Sequence, residues 1–250
     1  MFSAQLSMFW LAIGFSALVK SEGADVKKLR AYGPGGPLDP ITECGRIFSN
    51  QEGIHVSVIG APEEQWITQA QKDADVVFGG ADYMLTELTL KFPDFIDKST
   101  RTELYSRDAV ILVRRGNPKK IAEFKDLAQP GIKIVDVPAQ VRLVSGKISL
   151  VSPGLLTSRN RSLCLLRAAL PRLAPGKADP SLDAWITFRT WQYRLPEATE
   201  IVEIDRKYRP SRATPIAIAK TSSDPALAQK FIDYLKSDAG KAIFQKWGYN

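Results

Sequence analysis

The sequence predicts an α/β fold built on mostly parallel sheets. Two observations carry the prediction. Short apolar runs rich in Val and Ile alternate with longer amphipathic stretches, the order expected of strands covered by helices on both faces. The first three runs also end in Gly- or Pro-bearing segments, at 33–37, 60–64 and 79–82. In an open α/β sheet such strand-to-helix turns share one edge, and ligands bind there.

The chain opens on an uncharged stretch at 8–19 with no Lys or Arg before it. That stretch is too short to span a bilayer but long enough for the core of an export signal, with Val19 and Ser21 as small residues for cleavage. We read 1–24 as a signal peptide and the mature protein as periplasmic. Strands are expected at 28–32, 55–59, 75–79, 109–113, 132–135, 184–187 and 215–219. Helices are expected at 39–50, 63–72, 82–92, 121–128, 225–236 and 239–247. Pro40 suits the first turn of the first helix, and Asp224 followed by Pro225 reads as an N-cap with proline at the first helical position.

Composition excludes several classes. With 44% hydrophobic and 24% charged residues in 250, the chain is an ordinary globular protein, long enough for one large domain or two lobes. The net charge of +7 comes from one segment: between Asp136 and Asp179 there are seven basic residues and no acidic one. The rest of the chain is neutral. No aromatic residue occurs between Phe124 and Trp185, so the basic segment lacks the stacking partners of a nucleic-acid site. Two distant cysteines, Cys44 and Cys164, make neither a metal set nor a disulfide framework, and Cys44 is expected to be buried on its helix. The single histidine, His55, has no glycine-framed nucleophile, and Glu63 and Glu64 are adjacent on a helix and point apart. No enzyme, cofactor or metal is expected.

The glycine turns suit an anion. A strand that ends in Gly33, Gly35 and Gly36 and then enters a helix exposes several amides beside the positive end of a helix dipole. A tight turn without a ligand uses the same residues. The candidate ligand-binding residues are Gly35 and Gly36 first, then Gly60 and Ala61, then Gly80 and Ala81. Asp82 is expected to be an N-cap. Beyond a later strand, Thr187 and Arg189 are candidates, Arg189 as a bidentate fork for a sulfate, sulfonate or carboxylate. Trp66, Trp185 and Trp191 are expected in the core.

The motifs LRAYGPGGP (29–37), ADVVFGGAD (74–82), SRDAVILVRRGNPKKI (106–121), FKDLAQPGIKIV (124–135), DAWITFRTW (183–191) and FIDYLKSDAGKAIFQKWGY (231–249) together carry a resemblance. The chain resembles the accessory colonisation factor family of two-lobed periplasmic solute-binding proteins, relatives of sulfate- and molybdate-binding proteins. The resemblance covers most of 28–136 and 179–250. It implies two α/β lobes that close on a small oxyanion, with 25–105 and 207–250 as the first lobe and 106–206 as the second. It implies a protein that hands its solute to the permease of an ABC transporter or presents it to a chemoreceptor, and we expect a monomer. The loop Gly60-Ala61-Pro62 lacks the hydroxyls that molybdate binders often place there, which argues against molybdate.

Residues 137–178 depart from this pattern. The segment is rich in Arg, Leu, Ser and Pro, has no acidic or aromatic residue, and shows no period of 2 or 3.6. We read it as a pair of compensating frameshifts, near Val137 and near Lys177, against the alternative of a divergent insertion. Translating the other two frames of the coding DNA decides between them. An acidic, Trp-bearing, family-like peptide in one frame is the expected result, and its absence from both rejects the frameshift.

Overall fold

A computed structural model describes residues 27–135, 142–144, 147–149 and 182–250. The expected signal peptide and most of the atypical segment lie outside the described residues. The chain order is β1 (Lys28–Gly33), α1 (Leu38–Glu52), β2 (His55–Gly60), α2 (Glu63–Asp73), β3 (Val76–Phe78), α3 (Asp82–Lys91) and β4 (Thr102–Arg114). There follow β5 (Ile134–Val135), β6 (Arg142–Val144), β7 (Lys147–Ser149), β8 (Ala184–Phe188), β9 (Thr199–Val202), β10 (Ser211–Ile218), α4 (Pro225–Lys236) and α5 (Asp238–Lys246). The 121–128 stretch, expected as a helix, has only the 3-10 turn Phe124–Ala128. Among the described residues, β6 and β7 pair with each other alone.

The main sheet runs β2-β1-β3-β10-β4-β8-β5, with β9 beside β4. β1 is parallel to β2 and to β3, so their carboxyl ends and the turns that follow share one edge. Gly53, at φ +66°, ends α1 in the left-handed conformation that glycine adopts at least cost and turns the chain into β2. β10 runs antiparallel to β3 and to β4, and β8 and β9 run antiparallel to β4. The sheet is therefore mixed rather than mostly parallel. The physical reason is that β4 and β10 carry the chain across the molecule and back, and a returning strand beside its outgoing partner is antiparallel.

β4 joins two cores. Its first residues, to Asp108, pair with β10, and those from Ala109 pair with β8 and β9. Leu29, Ile41, Phe48, Phe231, Ile232 and Phe244 pack one face of the first half of the sheet. Tyr32, Trp66, Leu85, Leu88 and Phe95 pack around α2 and α3. Val110, Ile111, Leu112, Leu127, Trp185 and Trp191 form the core of the second half. Trp66, Trp185 and Trp191 are all buried, as expected, and so is Cys44, whose thiol burial pushes up to about 12.

Candidate functional site

The turns after β1, β2 and β3 lead into three helices with no side-chain cap: the N-caps are Pro37, Pro62 and Ala81. The helices away from this edge differ. Asp224 caps α4 by accepting from the Leu227 amide, and Ser237 caps α5 by accepting from Gly240. The first amides of any helix lack intrahelical acceptors, so an uncapped N-terminus holds donors for an anion. Among the described residues, the amides of Gly35, Gly36, Gly80 and Ala81 donate to no backbone carbonyl.

The expected loops behave differently from one another. Gly36 and Gly80 meet around one side chain. A Cβ on Gly36 would lie 2.7 Å from Arg107 Nη1, and one on Gly80 would lie 3.4 Å from Nη2 of the same residue and 3.3 Å from Pro34. The Gly60 loop is occupied by the fold itself. The Ala61 amide donates to Gly33 (3.1 Å), its carbonyl accepts from Trp66 Nε1 (3.0 Å), and a Cβ on Gly60 would strike Leu38 at 2.7 Å. Thr187 is buried in β8 opposite Val110. Arg189 donates through Nη2 to both carboxylate oxygens of Glu203, at 2.6 and 2.8 Å, so its charge is matched. Asp82 is the first residue of α3 rather than its N-cap, and its carboxylate pairs with Arg101. His55 begins the edge strand β2 at the end opposite the glycine turns.

The residue that sequence reasoning missed is Arg107. Among the described residues three charged side chains are buried: Asp75, Arg107 and Asp183. Both aspartates are satisfied. Asp75 accepts from the Arg30 amide (2.8 Å) and Ser222 Oγ (2.8 Å); Asp183 accepts from Arg114 Nη2 (2.8 Å) and the Lys133 amide (2.9 Å). Arg107 is 5% exposed and faces no carboxylate among the described residues. Its Nη1 donates to Tyr249 Oη (3.0 Å) and its Nη2 to the Gly80 carbonyl (2.6 Å), while Nε has no partner. The guanidinium lies 4.6 Å over the Phe188 ring, and Tyr249 Oη reaches on to the Gly36 carbonyl (3.4 Å). Phe188 belongs to the second core and Tyr249 to the first, so Arg107 sits where the two meet. A buried cation without a counter-ion costs several kcal/mol. The signal in the sequence was a charged residue entering an apolar strand run, SRDAVILV.

A second arginine spans the same turn. Arg194, at the end of the 3-10 turn Arg189–Arg194 that follows β8, pairs through Nε with Asp39 in the first turn of α1. Its Nη2 donates to the Gly35 carbonyl (2.7 Å), and its guanidinium lies 4.5 Å over Trp191. Trp191 is in the second core and α1 packs on the first, so this clasp holds the two together at the glycine turn. One charge-assisted hydrogen bond contributes about 1.5–3 kcal/mol when shielded and less when half exposed. Arg194→Gln is expected to speed release of a bound anion by roughly 5–30-fold, which corresponds to about 1–2 kcal/mol. Stopped-flow tryptophan fluorescence reads that rate, and an unchanged rate means that the Arg194 clasp does not retain the guest.

The match to known proteins follows the same lines. The sequence model of the bacterial extracellular solute-binding proteins matches residues 29–250. The chain belongs to that family. It is 26% identical over 216 residues to the molybdate-binding protein ModA of Mycobacterium tuberculosis, covering 83% of this chain and 78% of that one. Its fold superposes on Peb3 from Campylobacter jejuni with a TM-score of 0.69 and 29% identity, over 89% of this chain and 99% of that one. A second Peb3 structure holds L-phospholactate. The sulfate-binding protein SubI from Mycobacterium tuberculosis shares the fold, with a TM-score of 0.63, 20% identity, and 89% and 86% coverage. These likenesses bear out the fold of the type II periplasmic binding proteins that the resemblance implied.

Proposed function

We propose that this chain is an exported binding protein that captures a small oxyanion between its two lobes for delivery to an ABC transporter. The observation that carries the reading is Arg107, a buried guanidinium with an unmatched Nε beside uncapped helix N-termini. An anion seated there would complete Arg107 and take up free amides of the 33–37 and 79–82 turns. Gly35, Gly36, Gly80 and Ala81 supply those amides in our reading. Thr187 lies in β8, the strand beside β4. Gly60 and Ala61 shape the turn, and Arg189 is held by Glu203.

The relatives support the class of ligand. ModA and SubI are named for molybdate and sulfate, and Peb3 has been seen with L-phospholactate. Sulfate-like anions, sulfonates and organic phosphates all present the oxygens that such donors match. We keep the lobes at 25–105 with 207–250, and at 106–206, behind a signal peptide at 1–24. Presentation of the solute to a chemoreceptor uses the same closed lobes and is the alternative outlet.

A thermal-shift screen of the full mature chain against sulfate, thiosulfate, molybdate, phosphate, methanesulfonate and L-phospholactate tests the reading. A ligand present at 100 times its Kd and bound only by the folded protein adds about 2.7 kcal/mol of stability. That is worth several degrees in a chain of this size. At least one anion is expected to give such a shift. A folded sample that none of them shifts overturns the proposal.

A further inference from the structure

Arg107 has a neighbour of the same charge. In the ladder between β4 and β10, Arg212 lies directly opposite Arg107. Directly opposed residues of an antiparallel pair project from the same face of the sheet, with Cβ atoms about 4.5–5.5 Å apart, and like charges in that position destabilise the pair. Neither arginine forms an ion pair among the described residues, although their neighbours do: Asp108 and Glu203 are taken by Arg209, and Asp82 by Arg101. The Arg212 guanidinium lies 5.0 Å over the ring of Tyr83, the second residue of α3. Arg107 reaches the same helix start through the Gly80 carbonyl. Burial raises the Tyr83 hydroxyl, and both arginines act against that rise, which puts the ring in the field of each. Glu87 is the acidic group that also acts on Tyr83. Two unpaired guanidiniums, one of them buried with a free Nε, thus converge on one uncapped helix N-terminus.

We propose that Arg212 is the second anion-binding arginine of this cleft, and that the opposed pair selects guests carrying two negative charges over guests carrying one. A monoanion relieves the repulsion across the ladder only in part. A dianion neutralises both heads and takes the amides of α3 as well. The inference rests on the reading of the cleft as an anion site and adds a residue and a charge rule to it.

Two matched pairs of probes isolate charge from shape at pH 7.5: sulfate against methanesulfonate, and methyl phosphate against methyl sulfate. Affinities are measured by calorimetry for the wild type, Arg212→Gln and Arg212→Lys. The wild type is expected to prefer the more highly charged member of a pair by tenfold or more. Arg212→Gln is expected to weaken that member at least tenfold, to leave the monoanion within about threefold, and to raise the melting temperature of the ligand-free protein. Arg212→Lys is expected to restore much of the preference. The opposite signs with and without ligand separate lost binding from lost folding. If the wild type binds a dianion and Arg212→Gln keeps the same preference, the role of Arg212 is overturned while the anion site stands. If Arg212→Gln lowers the ligand-free melting temperature, the opposed pair is not under strain and the role is overturned likewise. A wild type that binds none of the four probes and none of the screened anions overturns the anion site itself, and this inference with it.

Discussion

Arg107→Met is expected to cut sharply the anion-induced rise in melting temperature and to leave the ligand-free protein folded. The reasoning begins with the buried guanidinium, which has no carboxylate among the described residues and an unmatched Nε. Removing one partner of a buried, hydrogen-bonded charge contact costs about 2–5 kcal/mol. That corresponds to a loss of roughly 30-fold to several thousand-fold in affinity. The unliganded protein changes little, because opposing effects are of similar size. Methionine gives up two charge-assisted hydrogen bonds, to Tyr249 and Gly80, each worth about 1.5–3 kcal/mol. It also removes a buried charge whose desolvation costs several kcal/mol. Arg107→Lys keeps the charge but not the planar fork that reaches Tyr249 Oη and the Gly80 carbonyl together, so intermediate binding is expected. Calorimetric titration with the best anion of the screen, beside a melting curve of each variant, checks all three statements. Wild-type affinity in Arg107→Met removes the basis of the proposed site.

Gly33→Ala is expected to produce the largest loss of stability among substitutions at the glycine turns. A Cβ at Gly33 would lie 2.3 Å from Phe78 Cδ2 and 2.5 Å from the Phe78 carbonyl oxygen, on the adjacent strand β3. The ring has no room to retreat, since Phe78 is 1% exposed within the first core. The backbone oxygen cannot move without disturbing the sheet. Overpacking of this kind costs about 1–3 kcal/mol, which lowers the melting temperature by roughly 2–12 °C in a chain of this size. Gly35→Ala is the control from the same turn, because a Cβ there meets nothing within 4 Å. Thermal melts of the two variants should separate clearly. Equal melting temperatures would mean that β1 and β3 are not in the close contact described.

The two predictions draw on different levels of structure. The crowding at Gly33 arises where parallel neighbours β1 and β3 pack, and the sequence marked that turn as glycine-rich without saying which glycine was crowded. The charge at Arg107 arises where two cores meet. A residue-by-residue reading placed the anion's countercharge on Arg189, the arginine that follows a strand end, and the structure sets Arg189 on Glu203, 14 residues further along. Arg107, Arg194 and Arg212 looked like ordinary polar positions because their surroundings come from distant segments: Tyr249 lies 142 residues from Arg107, and Asp39 lies 155 residues from Arg194.

What the sequence determined by itself is local in origin. Apolar periodicity set the order of β1, α1, β2, α2, β3 and α3, proline and acidic residues marked the helix starts at Pro40 and Asp224, and glycine marked the turns. These are short-range effects of sterics, hydrogen bonding and amphipathicity, and they are written in neighbouring residues. The first half of β4 and all of β9 escaped that reading, because Thr102–Asp108 and Thr199–Val202 are polar or short and become strands only by pairing with β10 and with the rest of β4. Tertiary structure alone decided which charges are paired, which are buried and which are left to meet a guest. Coulomb and desolvation energies depend on distance and burial in space, and several of the contacts that set them here join residues more than a hundred positions apart.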